Sequence, residues 1–489
     1  MERAVFDLAR IGEVSDLARA CKWSAAELRG AVVARLATLE KAGVGPESRV
    51  IIAHGGTPEF FADLFAVWAV GACAACVNPD LTPGEIANVI TFTEPDAVLP
   101  GDRTGDLALP DDICVIEGAA KPNKGLDPGT WRIGGAVAAP ALMLFTSGTT
   151  GDPKAVVHSF GSIRSRINYN HKFIDGATLR RTLCVLPSHF GHGLIGNCLT
   201  PLFAGGDVFL AAGGGLAGAA RLGAQLVEHD ITFMSSVPAF WKVALKASPP
   251  PSRDTVRQIN IGSAPVAADL VRAVADWSGT DDVRNMYGIT ETANWIAGGS
   301  ARDRPPEDGL IGPMWGGDAA VCLSDGSRAK TGEGEIVLRP PSLMTHYFRR
   351  PDLTAHAIRD GWYHTGDTGT VDAQGWIRLT GRIKNEINRG GMKVSPEEVD
   401  ALLERHPLVV EACAFGLPDA VAGEIVAVAV QIAGEGTIDG EQLRSWCMGR
   451  IRRECVPERW FFLTDIPKTD RGKLNRDIVR QACLKTVAT

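Results

Sequence analysis

An apolar run, Ala141-Leu142-Met143-Leu144-Phe145, breaks abruptly into Thr146-Ser147-Gly148-Thr149-Thr150-Gly151-Asp152-Pro153-Lys154. A short run of this kind reads as a buried strand. The residues after it cannot continue that strand, because they are too polar and too rich in glycine. Gly148 and Gly151 allow the backbone to approach a ligand closely. Thr146, Ser147, Thr149 and Thr150 offer hydroxyl groups, and Lys154 offers a cation. Chemically this is a loop that cradles phosphate. It is not the Gly-rich loop that ends in Gly-Lys-Ser/Thr, because that ending is missing. A polar turn after a strand is the plainer reading. The coincidence of glycines, hydroxyls and a lysine favours an anion site.

Four further stretches follow in order: Asn285-Met286-Tyr287-Gly288-Ile289-Thr290-Glu291, Thr365-Gly366-Asp367, Gly381 to Pro396, and Pro467-Lys468-Thr469-Asp470-Arg471-Gly472-Lys473. Together with the loop they resemble the motif set of the adenylate-forming superfamily of acyl-CoA synthetases, luciferases and peptide-synthetase adenylation domains. The resemblance covers nearly the whole chain. It implies an α/β fold: a large N-terminal domain of two packed, mostly parallel sheets with a small β-subdomain, and a small mobile C-terminal α/β domain. The expected division is an AMP-binding domain over 1–381, a hinge over 382–386 and a lid over 387–489.

Composition agrees with a soluble globular protein: 489 residues, 45% hydrophobic and 22% charged, with a net charge of −7. No long basic block argues for nucleic acid. No apolar run reaches the length of a membrane span. Met1 to Asp7 lacks the apolar core of a signal peptide, so a cytoplasmic location is expected. The 11 cysteines are scattered, and only Cys73 and Cys76 make a C-x-x-C pair. That pair lies in an apolar stretch without a second pair at zinc-site spacing and reads as two buried small side chains.

Along the first 140 residues helical patterns alternate with short apolar runs, as in parallel sheets covered by helices. Ser24 with Glu27 forms a capping box for a helix to Lys41. Val50 to Ala53 reads as a strand, Pro58 to Val70 as an apolar helix, and Thr82-Pro83-Gly84-Glu85 as the start of another helix. Gly101 to Gly135 reads as surface loop, Cys184 to Pro187 as a strand ending in proline, and the Gly-rich patch Ala211 to Gly218 as a flexible turn.

The resemblance assigns roles to named residues. Phe190 falls where relatives carry a residue bordering the acyl group, flanked by His189, His192 and Gly193; a strand-end loop with two solvated histidines is the alternative. Trp241, on a helix beginning at Val237-Pro238, either lines that pocket or belongs to ordinary core. The small-residue turn Gly262-Ser263-Ala264-Pro265 and the motif Met286-Tyr287 hold adenine, and Gly288 leaves room for the acyl group. Thr290 and Glu291 supply oxygen ligands for Mg²⁺, which prefers them. Asp367 accepts the ribose hydroxyls, with Arg382 beside it at the domain boundary. Lys384 takes the hinge position. Gly390 and Gly391 admit a slender acceptor, and Lys473 acts on a mobile loop.

These roles imply an ATP-dependent acid ligase. A carboxylate attacks the α-phosphorus of ATP, pyrophosphate leaves, and a nucleophile then displaces AMP. The expected ligands are ATP, Mg²⁺, a small carboxylic acid, aromatic or cyclic in view of Phe190 and Trp241, and CoA. An amine acceptor is the second reading, with His189 or His192 as base. It is prompted by Glu454-Cys455-Val456-Pro457, which lacks the lysine many relatives carry there, although Arg452 and Arg453 lie close. A non-catalytic acyl-AMP binder is the third, opposed by the intact Lys154, Glu291, Asp367 and Lys473. No nucleic-acid or membrane partner is expected, and the oligomeric state is monomer or homodimer.

Overall fold

A computed structural model of the chain describes residues 5–102, 113–123, 132–146, 154–211, 215–323, 325–389, 392–419, 422–434, 438–448, 450–469 and 474–487. The chain forms two compact units, residues 1–318 with 339–363, and residues 319–338 with 364–489.

The first unit is built on two large sheets. One runs His346–Tyr347, Lys154–Ser159, Pro140–Thr146, Cys73–Cys76, Arg49–Ile52, Ala97–Leu99, Cys114–Val115. The other runs Trp295–Ser300, Val283–Gly288, Gln258–Gly262, Phe233–Ser236, Arg181–Cys184, Asp207–Leu210, Val14–Asp16, Cys21–Trp23. Most neighbours are parallel, and antiparallel pairs are confined to the flanks. One hydrophobic core takes side chains from both sheets, among them Val50, Ile52 and Ala74 from the first and Val14, Cys184 and Val208 from the second. The helix Pro58–Val70 lies within this core and is buried over most of its length. Its apolar sequence on all sides requires that. Asp63, the one acid in its middle, is fully buried and meets Arg35 Nε at 2.6 Å and His54 Nε2 at 2.8 Å.

Local signals are realised where they were strongest. Ser24 and Glu27 close a reciprocal capping box on the helix Ala25–Lys41, and Thr82 and Glu85 do the same on Pro83–Thr93. Three expectations change. The strand expected at Cys184 to Pro187 is Arg181–Cys184, because its parallel pairing with Asp207–Leu210 ends at Cys184 and Pro187 has no N–H to extend it. Within Gly101 to Gly135, Cys114–Val115 extends the first sheet and Arg132–Ile133 pairs with Phe6–Asp7. Part of the Gly-rich patch is helical, Gly215–Ala220. Cys73 and Cys76 sit on one strand in the core, and burial pushes the Cys73 thiol up to about 12 and the Cys76 thiol higher still.

The second unit holds an antiparallel sheet, in the order Ile377–Arg382, Trp362–Val371, Gly332–Arg339, Asp318–Cys322, Arg328–Ala329. It also holds a five-stranded sheet centred on the long hairpin Val409–Asp419 and Gly423–Ile432. The helix Pro396–Leu403 packs on that hairpin, sharing Val399 and Leu403 with a core of Ala412, Val426 and Val428. Among the described residues no helix is long and apolar enough to cross a membrane.

Candidate active site

The phosphate-type loop joins two antiparallel strands, Pro140–Thr146 and Lys154–Ser159, with Thr146 opposite Lys154 in register. Ser147, Gly148, Thr149, Thr150 and Gly151 lie outside the described residues. Lys154, the last residue of the motif, stands at the mouth of this hairpin. Its Nζ is 3.5 Å from Glu291 Oε1 and 3.9 Å from the centre of the Tyr347 ring. The Tyr347 hydroxyl donates to the same Glu291 oxygen at 2.6 Å and is 3.2 Å from the Tyr363 hydroxyl. Burial, and next the Glu291 charge, push the Tyr347 phenol far above its ordinary range. Tyr347 is therefore a permanent donor.

Thr290 and Glu291 open a short helical turn after the strand Val283–Gly288. Their backbone is pinned from two sides. His158 Nε2 lies 2.8 Å from the Thr290 carbonyl, and Met344 N donates to the Glu291 carbonyl at 2.7 Å. Burial lowers the His158 imidazole to about 4, so near neutral pH it is uncharged and donates to that carbonyl. A buried carboxylate with a cation and a hydroxyl on one oxygen is a hard-oxygen donor, a group of the kind that would suit a magnesium ion.

His192 begins a π-helix, His192–Leu199. Such helices are rare and concentrate at functional sites. Its Nδ1 is 2.8 Å from Ser263 Oγ and its Nε2 is 2.6 Å from Ser235 Oγ. The expected adenine turn and the expected acyl-pocket histidine are thus bonded to each other. Ser263 has φ +68°, a left-handed conformation that a non-glycine residue adopts at a cost. His189 is buried, with its ring 4.1 Å from that of Phe190, so it is not the solvated histidine of the alternative reading. Gly193 is buried within the π-helix. Trp241 is fully buried, in the core formed by Met234, Ile259 and Trp277, the ordinary-core half of its reading. Met286 points into a separate core with Phe233, Trp295 and Trp315, while Tyr287 is buried on the same strand.

Gly288 faces backbone. A Cβ built on it would lie 2.3 Å from the Asn294 carbonyl oxygen and 2.8 Å from Trp295 Cα. The returning strand therefore requires glycine there, independently of any acyl group. Gly288→Ala should lower stability by about 1–3 kcal/mol, read as a lower urea midpoint. An unchanged midpoint with a raised KM for the acid would mean instead that the glycine serves the substrate alone.

In the second unit Asp367 is buried, with Arg382 Nε donating to its Oδ1 at 2.5 Å. Thr365 Oγ1 donates to the Ile336 carbonyl and accepts from Asp367 N at 2.9 Å. Lys384 lies in a single helical turn, Ile383–Asn385, whose Asn385 is bonded to Glu397. Arg452, beside the Val456-Pro457 pair, is in ion pairs with Glu398 at 3.0 Å and Glu454 at 3.8 Å. Gly390, Gly391 and Lys473 lie outside the described residues.

Residues 10–348 match the AMP-binding enzyme family, and residues 398–473 match the AMP-binding enzyme C-terminal domain. The chain belongs to the AMP-binding enzyme family. It is 32% identical to a feruloyl-CoA synthase of an Amycolatopsis species over 92% of this chain and 92% of that one. It is 29% identical to an oxalate–CoA ligase of Arabidopsis thaliana over 91% of this chain and 90% of that one. The ATP-bound structure of MatB from Rhodopseudomonas palustris superposes with a TM-score of 0.86 at 25% identity, covering 97% of this chain and 95% of that one. The family's fold, with a large N-terminal and a small C-terminal part, is the fold described above. The site contains members that sequence reading missed: Tyr347 at Glu291 with Tyr363 behind it, His158 behind Thr290, and Ser235 at His192. None carried a motif signal, because each is far in sequence from its partner.

Proposed function

We propose that this protein is an AMP-forming acid–CoA ligase. The carboxylate of a small acid attacks the α-phosphorus of ATP, forming an acyl-adenylate and releasing pyrophosphate. The CoA sulfur then attacks the acyl carbon, the thiol proton passes to solvent, and AMP leaves. The observation that carries this reading is the cluster of Glu291 and Tyr347 around Lys154, the residue that closes the hydroxyl-rich motif. Two anions must meet in the first step, and preorganised charge is what lowers that barrier.

Lys154 neutralises phosphate charge, and the hydroxyls of Thr146, Ser147, Thr149 and Thr150 donate hydrogen bonds to the phosphates. Glu291, with Thr290, would hold Mg²⁺, which when bound withdraws charge from phosphate oxygens. The turn Gly262 to Pro265 and Tyr287 hold adenine, with Met286 contributing backbone only since its side chain is in the core, and Asp367 with Arg382 holds ribose. The segment around His189, Phe190, His192, Gly193 and Gly288 borders the acid; Trp241 supports it from the core. Lys473 serves adenylation and Gly390-Gly391 serve thioester formation, with 1–381 and 387–489 as domains and the hinge at Lys384 between them.

The amine reading needed a histidine free to take a proton. Both nitrogens of His192 are engaged by serine hydroxyls, and the named relatives are CoA enzymes. His189, the other candidate base, is buried against the Phe190 ring, and CoA is the acceptor these observations favour. The substrate acid should be sought first among hydroxycinnamates and short dicarboxylates, the acids in those relatives' names. Pyrophosphate exchange across such a panel identifies it. With that acid, AMP release should depend on CoA and yield a thioester by mass spectrometry. AMP release at full rate without CoA, with an amide formed from an added amine, would overturn the assignment.

A further inference from the structure

Three neighbouring strands of the second unit's antiparallel sheet bring together Cys322, Glu335 and His364. One ligand atom from each lies within 4.8 Å of the others. His364 Nδ1 is 2.8 Å from Glu335 Oε2, a pairing that orients the imidazole. The Cys322 sulfur has only long contacts to carbonyl oxygens, 3.9 Å to Leu323 and 3.8 Å to Gly326. It ends its strand beside a tight turn in which Gly326 N donates to Leu323 O. All three residues are half-buried, so an ion from solution can reach them.

The donor set decides which ion. A thiolate, an imidazole and a carboxylate suit zinc-class cations, whereas magnesium takes oxygen and keeps its water. In a tetrahedral zinc site with bonds of roughly 2.0–2.3 Å, ligand atoms stand about 3.5 Å apart. The His364–Glu335 pair at 2.8 Å must open slightly and the longest separation, at most 4.8 Å, must close by about 1 Å, both within the reach of side-chain rotation at half-buried positions. Three protein ligands leave the fourth corner to water.

We propose that Cys322, Glu335 and His364 bind a thiophilic divalent cation of the zinc class. Binding replaces the thiol proton, which is released to solvent. The site is chemically unlike the oxygen donors at Thr290 and Glu291. It also touches the nucleotide machinery. Glu335 Oε1 accepts from Gly366 N at 3.0 Å, and so holds the turn that precedes Asp367. A cation that recruits Glu335 loosens that turn. On the reading of Asp367 as the ribose carboxylate, it raises the KM for ATP.

The test uses Co²⁺ as the probe on full-length protein stripped with chelator, in excess Mg²⁺. A near-ultraviolet thiolate-to-cobalt band and visible bands of tetrahedral cobalt should appear at one equivalent, and Zn²⁺ should abolish them. Cys322→Ser, a near-isosteric change, should remove the near-ultraviolet band and weaken Zn²⁺ competition by more than the roughly 10–100-fold typical of losing an outer partner. His364→Ala should remove the tetrahedral pattern. No band below millimolar Co²⁺, or a band unchanged in Cys322→Ser, overturns the site. Zn²⁺ should raise the KM for ATP in wild type and not in Cys322→Ser. Cobalt bands without that change keep the metal site and overturn its link to ribose.

Discussion

Glu291→Gln is expected to slow acyl-adenylate formation by about 10²–10³-fold, the range for removing one preorganised charge partner from a transition state. The substitution keeps shape and keeps an oxygen for the Tyr347 hydroxyl, which reaches Glu291 Oε1 at 2.6 Å. It removes the charge. Lys154, 3.5 Å away, then lacks its counter-ion, and a neutral amide is a poor ligand for a hard cation. The measurement is ATP–pyrophosphate exchange over a range of Mg²⁺ concentrations, with thermal unfolding as control. The variant should need more Mg²⁺ and still fall short at saturation, with an unchanged melting curve. Tyr347→Phe is the companion. It keeps the carboxylate and loses one hydrogen bond to a charged group, worth about 1.5–3 kcal/mol, so its defect should be smaller. Wild-type exchange with an unchanged Mg²⁺ requirement in Glu291→Gln would remove Glu291 from the metal and phosphate site.

Lys473→Ala should separate the two half-reactions. Adenylation should fall by about 10²-fold, because a cation aimed at the carboxylate and phosphate oxygens is lost where charge redistributes. Thioester formation from a supplied acyl-adenylate should proceed at the wild-type rate, because CoA attack on the acyl carbon has no need of that lysine. Stopped-flow measurement of each half-reaction makes the comparison. Equal losses in both would show that Lys473 stabilises the unit rather than the adenylation transition state. A wild-type rate of pyrophosphate formation would remove it from the site altogether.

The kind of chemistry was legible in the residues because phosphate binding, ribose binding and hard-cation binding each demand particular groups at short spacing. The hydroxyl loop, Thr290-Glu291, Thr365-Gly366-Asp367 and the Lys473 heptapeptide each keep such groups within a few positions, and they are the stretches to which the proposed function gives those tasks. Helix boundaries at Ser24, Pro58 and Thr82 were legible for the same reason, since caps and prolines act locally. The strand at Arg181–Cys184 was misread by a few residues because parallel pairing is decided by neighbours on other strands, not by the run itself. Gly288 was read as space for a substrate, and what faces it is the backbone of Asn294 and Trp295.

What only the tertiary structure decided is which side chains meet. Tyr347 is 56 residues from Glu291 and Ser263 is 71 from His192, and each pair is within hydrogen-bond distance. Cys322, Glu335 and His364 converge because three strands lie side by side, although each is unremarked in its own stretch. Motifs record chemistry that one backbone segment can present alone. Convergence across strands depends on register and sheet order, which come from the burial of distant apolar side chains, so no local pattern of residues encodes it.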